Sequence, residues 1–199
     1  MAPDQKKARR AGATLVFLDE TGFRLQPLNR RTWALVGSRP QQVVSQRHDR
    51  LSVIGSLSLS PARRHLRSHF VIHERNVRTP DVLRYLCELH RQHGGPLIVV
   101  LDRLNVHRSA VRRLRDRGAK WLRVEWLPAY APELNPVEAM WSHTKYTSLA
   151  NFVPDNVDHL FDAVAQAVND VYFQPDLMTS FFQAAELSIT TAQRPRREE

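Results

Sequence analysis

Leu97-Ile98-Val99-Val100-Leu101-Asp102 contains the most apolar run of the 199-residue chain, and it ends on a carboxylate. The run is short, rich in β-branched residues and preceded by Gly94-Gly95-Pro96, which predicts a buried central strand rather than a helix. Thr14-Leu15-Val16-Phe17-Leu18 has the same character and is predicted to end at Asp19. A carboxylate at the C-terminal end of a strand lies at the edge where open α/β sheets bind ligands. The plain alternative is an Asp that caps the following turn. Two such residues, each closing the most apolar strand of its half of the chain, favour a shared task. On neighbouring strands they would reach the same cation.

Outward from these strands the pattern is mixed α and β. Leu51 to Leu59 alternates with Ser and reads as a strand; Leu66 to Ile72 reads as a third, more polar one. The intervening Arg24–His48 segment carries Pro27, Gly37 and Pro40 around the apolar Thr32–Val36. It reads as an irregular connection, with a β-ribbon as a candidate. Thr79 is the expected N-cap of a helix that opens on Pro80 and runs to about His93. A helix from His107 to Arg117, with Val111 and Leu114 inward, ends at Gly118, and Trp121 to Leu127 forms another strand. After the Pro128–Pro136 loop, a helix is expected from Val137 to Tyr146, with Asn135 as N-cap and Pro136 in its first turn. An amphipathic helix with Val157, Leu160, Phe161, Val164 and Val168 inward, and a last one near Leu177–Leu187, close the chain. Antiparallel strands followed by strand–helix–strand units make an α/β sheet domain.

Charge narrows the chemistry. Residues 1–150 hold 26 basic and 12 acidic side chains, a net +14, whereas 151–199 hold 3 and 8, a net −5. Only four of the 29 basic residues are Lys. Forked guanidiniums suit phosphate, which favours a nucleic-acid partner. The acidic C-terminal part reads as helices packed on the body rather than a second domain. A single cysteine, Cys87, excludes a disulfide framework and a Cys-based zinc site, and is expected to be a small buried residue of its helix. No run of about 18 apolar residues or secretory leader is visible, so a reduced cytoplasmic setting is expected.

Glu138, in the first turn of the helix after Asn135-Pro136, supplies a third carboxylate; Glu133, in the loop, is a less directed substitute. The ordinary alternative is a first-turn Glu that favours the helix dipole. Three carboxylates without thiolates suit Mg²⁺ or Mn²⁺. In a basic protein they imply two-metal phosphoryl transfer on nucleic acid, with ions about 3.5–4 Å apart. His107, five residues after Asp102, either orients a phosphate or a water on a metal, or is a satisfied loop histidine. Trp141 reads as core on the Glu138 helix. Arg112, Arg113, Arg115 and Arg117 read as a solvated face first and a DNA-facing patch second.

Several blocks now stand in one order. They are Leu15-Val16-Phe17-Leu18-Asp19-Glu20-Thr21-Gly22-Phe23, Arg31 to Pro40, Asp102 with His107-Arg108-Ser109, and Leu127 to Glu138 with Trp141. From about residue 13 to 150 the chain resembles the catalytic domains of the insertion-sequence 630 branch of the mariner superfamily of transposases. Tyr130-Ala131-Pro132-Glu133-Leu134-Asn135-Pro136 is the most specific block, and the 35 residues between Asp102 and Glu138 suit that superfamily's short second gap.

The resemblance implies a ribonuclease-H-like mixed sheet, three antiparallel strands then two parallel ones, flanked by helices. It implies a basic lead-in over 1–12, a catalytic domain over 13–190 and a tail over 191–199. Asp19, Asp102 and Glu138 match the catalytic and metal-binding triad, taking two Mg²⁺ or Mn²⁺ ions, with Glu20, His107 and Asn135 in support. Arg31, Arg39, Arg103, Arg108, Arg112 and Lys145 are the expected DNA contacts. The partners implied are double-stranded DNA, both transposon ends and target, and a second copy of the chain in the active complex. The reaction implied is endonucleolytic cleavage and strand transfer in a bacterial cytoplasm, on the nucleoid when DNA is bound. Two departures stand out. Arg103 occupies a position where many relatives have Asn. The chain also starts almost directly at the first catalytic strand, without the usual helix-turn-helix reader, as expected of a split-element frame, a frameshift product or a remnant. A ribonuclease-H-like nuclease of another kind, or a domesticated non-catalytic DNA-binding remnant, are the alternatives.

The +14 over residues 1–150 sets a first expectation. DNA affinity should fall at least about tenfold between low and moderate salt, because log K drops by about 0.9 per decade of salt for each neutralised phosphate. Fluorescence anisotropy titrations check this, and a salt-independent affinity would point to a different partner for the basic face.

Overall fold

A computed structural model describes residues 11–39, 41–44, 49–62, 64–187 and 189. The expected tail over 191–199 and nearly all of the 1–12 lead-in lie outside these residues. Five strands form one sheet: β1 (Thr14–Arg24), β2 (Arg50–Leu59), β3 (Leu66–His73), β4 (Leu97–Leu101) and β5 (Leu122–Trp126), in the order β3-β2-β1-β4-β5. The pairs β1–β2 and β2–β3 are antiparallel, and β1–β4 and β4–β5 are parallel. This is the mixed sheet that the sequence led us to expect.

Helices α1 (Thr79–His93) and α2 (Asn105–Asp116) cover one face. Val16, Leu18, Ile54, Leu97, Val99 and Leu101 meet Tyr85, Leu86 and Leu89 of α1 and Ala110, Val111 and Leu114 of α2 there. Helices α3 (Pro136–His143), α4 (Val157–Tyr172) and α5 (Pro175–Ala184) cover the other. On that face Leu15, Phe17, Leu57 and Ile98 pack with Met140, Trp141, Val164, Val168 and Phe182. The acidic C-terminal helices therefore pack on the body.

Several local expectations are corrected. β1 does not end at Asp19. Its parallel partner gives out after Phe17↔Val100, but antiparallel pairing with β2 continues through Asp19↔Gly55 to Arg24↔Arg50. Both faces of β2 are covered despite its Leu/Ser alternation, and Ser56 Oγ lies 2.8 Å from the Tyr85 hydroxyl. The cap of α1 is Arg78, not Thr79, because the Asp81 carboxylate accepts from the Arg78 N–H at 2.9 Å and sets the first turn one residue earlier. Cys87 is exposed, on the outer side of α1. Phe161 faces outward, since Leu160 and Val164 already fill the inner stripe of α4. The α3 helix stops at His143 and a π-turn, Thr144–Ser148, replaces its expected last turn. Thr32–Val36 forms no ribbon; Trp33, Leu35 and Val36 stand in solvent.

Gly55 decides how closely α3 approaches the sheet. A Cβ there would meet the Trp141 ring at 2.5 Å and the Met140 methyl at 3.2 Å. Trp141 is buried and held edge-on by Phe23, so it has little room to yield. Substituting Gly55→Ala should destabilise the protein by about 1–3 kcal/mol, the usual cost of overpacking. Urea unfolding measures it, and an unchanged midpoint would show that α3 can ride outward freely.

Candidate functional site

β4 stops at Leu101 while β1 runs on, which leaves an open step at the C-terminal edge of the parallel strands. Asp102 is the first residue past the end of β4, and Asp19 sits on β1 just beyond the last residue paired to β4. Asp19 shares its side of β1 with Phe17 and Phe23, the α3 face. Glu138 is in the first turn of α3, whose start is set by the Asn135 side chain accepting from the Val137 N–H at 3.2 Å. The carboxyl of Asp19 is raised from 3.8 to about 7. Burial is the main cause and the Glu138 charge comes next; the Glu20 backbone N–H opposes, and Asp102 adds a further push. Glu138 and Asp102 thus both act on Asp19 across the step.

On the other face of β1, Glu20 points to α2. The His107 side chain is fully buried, and its Nδ1–H donates to Asp102 Oδ1 at 2.5 Å while its Nε2–H donates to Glu20 Oε1 at 3.1 Å. Burial alone would push this imidazole down; the bonds to Asp102 and Glu20 outweigh it and raise it to about 9. Both ring nitrogens therefore donate, as an imidazolium requires. Burial works to raise Asp102, but His107 and the Leu104 N–H, 3.0 Å from Oδ1, hold it below the ordinary carboxylate value. Of the two readings open for His107, the buried, fully hydrogen-bonded one describes its contacts.

Lys145, on the π-turn, donates to Thr21 Oγ1 at 2.5 Å, one strand repeat beyond Asp19. Burial pushes its ammonium down, and the charges of Glu138 and Asp19 work against that shift. A π-turn at this point aims the amine at the carboxylates, as such irregularities commonly do at functional sites. Asn135 is buried and acts as a helix cap. Glu133 is exposed in a 3₁₀ turn, Pro132–Leu134. Arg31 and Arg39 are exposed on the connection from β1 to β2, and Arg103, Arg108 and Arg112 line a groove beside α2. Sequence reasoning missed Gly55 and Thr21. An isolated glycine inside an apolar strand was the available signal for Gly55, since such a residue often marks close approach by another element.

The donor chemistry fits a hard divalent cation. Asp102 commits Oδ1 to His107 and Leu104, and Oδ2 has no hydrogen-bond partner among the described residues. Glu138 and Asp102 place like charge on Asp19, which a cation would relieve. As the side chains stand, no three His, Cys, Asp or Glu residues among those described are grouped so that they could hold a metal ion.

Replacing His107 by Gln should cost about 2 kcal/mol near pH 6, because two carboxylates lose their shared donor. Folding raises the imidazole from 6.5 to about 9, so its contribution is complete below pH 6.5 and is lost as pH rises through about 9. Denaturation curves for both proteins from pH 6 to 10 should show the gap closing at the alkaline end.

The architecture is similar to that of several solved structures. The Mos1 transposase paired-end complex with left transposon end matches with a TM-score of 0.60 at 13% identity, covering 93% of this chain and 56% of that one. The Mos1 strand transfer complex matches at 0.60 and 14%, covering 93% and 55%, and the Mos1 mariner paired-end complex with Mn at 0.60 and 14%, covering 93% and 57%. The chain therefore spans little more than half the length of these relatives, and the likeness establishes the fold. No curated protein matches it in sequence. Residues 14–160 match the model of the DDE superfamily endonucleases, and the protein belongs to that family.

Proposed function

We propose that this chain is the catalytic core of a DNA transposase, cutting a phosphodiester at the end of a mobile element and joining the freed end to target DNA. The reading is supported by Asp19 and Asp102 flanking the open step beside β4, with the charges of Glu138 and Asp102 acting on Asp19, in a chain of the DDE endonuclease family. The Mos1 complexes with Mn and with Mg, and in a strand transfer state, support the same assignment.

Asp19, Asp102 and Glu138 would hold two Mg²⁺ or Mn²⁺ ions. Such ions, when bound, make water a stronger nucleophile at neutral pH and stabilise the charge of an in-line displacement. The protein's part is positional. His107 and Glu20 fix Asp102, so that Oδ2 is its remaining acceptor. Gly55 lets Trp141 settle on the sheet, which sets Glu138 over β1. Lys145 supplies a compact positive charge beside Asp19 and Glu138, where a phosphoryl group in transfer carries negative charge. In the first step a water oxygen bonds to phosphorus and the P–O3′ bond breaks, freeing a 3′-hydroxyl. In the second step that hydroxyl attacks a target phosphodiester and displaces its 3′-oxygen. Both steps are in-line displacements on the same kind of centre, so one site serves both. Arg31 and Arg39 would reach DNA from the exposed connection between β1 and β2. The solvent-facing Trp33, Leu35 and Val36 on that connection support pairing with a second copy in the active complex.

Asp19→Asn or Asp102→Asn should reduce Mg²⁺-dependent nicking of supercoiled DNA to background while circular dichroism stays native. Wild-type rates in either folded variant would remove the triad assignment.

A further inference from the structure

A groove of about 340 Å³ runs between α2 and the end of β5, lined by Arg103, Arg108, Arg112, Arg115, Asp116 and Trp126. It opens beside the carboxylate step, because Arg103 directly follows Asp102 and Trp126 pairs with Leu101, the last residue of β4. Four guanidiniums thus face a single acid. Three arginines elsewhere pair with carboxylates: Arg75 with Asp81, Arg91 with Glu88 and Arg123 with Glu125. Among the described residues, Arg103, Arg108, Arg112 and Arg115 make no such pair, and Arg108 donates only to the neutral Asn105 Oδ1 at 2.5 Å. Leaving four neighbouring cations unneutralised costs mutual repulsion, which an anionic partner relieves.

The spacing says which anion. Arg108, Arg112 and Arg115 stand at i, i+4 and i+7, one stripe of α2 next to the buried His107, Val111 and Leu114. At 1.5 Å per residue the stripe is about 10 Å long. Phosphates on one DNA strand advance about 3.4 Å along the duplex axis per nucleotide, so the stripe covers about three nucleotide steps.

We infer that this groove is a lane for the phosphate backbone of duplex DNA, separate from the Lys145 side of the site. The inference rests on reading the chain as a DNA-processing core. The lane positions the duplex without reading bases, since its donors are matched to phosphates rather than base edges. It places one DNA segment on the β4–β5 side of the carboxylates. Lys145 and the connection from β1 to β2 lie on the opposite side, leaving room for a second segment there.

The test is anisotropy binding of a random-sequence 30-base-pair duplex by the full chain over a range of salt. It compares wild type with R108Q/R112Q/R115Q and with a charge-matched control, R67Q/R84Q/K120Q, whose residues are exposed elsewhere. The groove variant should lose at least about tenfold in affinity at moderate salt, and its log K against log salt slope should shrink by about 2–3. The control should change far less. Equal losses in both variants would reduce the effect to net charge, and an unchanged groove variant would remove the lane; either result overturns the inference. Nicking by the wild type and its loss in Asp19→Asn are read on the same DNA. A failed lane with intact, Asp19-dependent nicking overturns this inference alone, whereas failure of the wild type to bind any duplex overturns both readings.

Discussion

β4 is five residues long and β1 is eleven, and the site depends on that mismatch. Parallel pairing holds β1 and β4 together only through Phe17↔Val100. Beyond it, β1 keeps its antiparallel hydrogen bonds to β2, so its backbone stays extended and satisfied while its other edge is open. Side chains of β1 past that point alternate between two uses. Asp19 and Thr21 face α3 and the π-turn, and Glu20 faces α2. A strand that ended at Asp19 would lose Thr21, the anchor of Lys145, and the register that sets Gly55 opposite Asp19.

The electrostatics follow from this crowding. A half-buried carboxylate with two others nearby resists ionisation, and Asp19 is accordingly lifted. The protein supplies two cations around the step. His107 on the α2 face offsets Asp102 and Glu20, and Lys145 on the α3 face offsets Glu138 and Asp19. One is buried and fixed at both ring nitrogens; the other is a flexible stem with one hydrogen bond. That difference suits a support in the first case and a contact to an arriving anion in the second. The arginines of α2 lie outside this compensation, which is why their unpaired state points outward to a partner.

Much was legible in the chain itself. The apolar runs at Thr14–Leu18 and Leu97–Leu101, the proline and glycine punctuation around α1 and the Asn135-Pro136 start of α3 are local signals, and the strands and helices they announce are present. The carboxylates at 19, 102 and 138 stand out in the sequence by their position relative to those elements. The features that differ from the sequence reading depend on neighbours. Cys87 looks buried only if every small residue of an amphipathic helix faces inward, and Phe161 only if the inner stripe of α4 is wider than it is.

Sequence alone determined the element types, the basic character of the first 150 residues and the identity of the acidic groups, because propensity, capping and charge are carried by adjacent residues. Tertiary structure decided which groups meet. The Glu20–His107 contact spans 87 positions and the Thr21–Lys145 contact 124, and neither leaves a periodic trace. The length of β1 past Asp19 was settled by β2, a partner strand starting 26 residues later. The close approach of α3 was settled by the one strand position where a hydrogen replaces a Cβ, Gly55. Those contacts are set by packing across the sheet, which the order of residues constrains only through the completed fold.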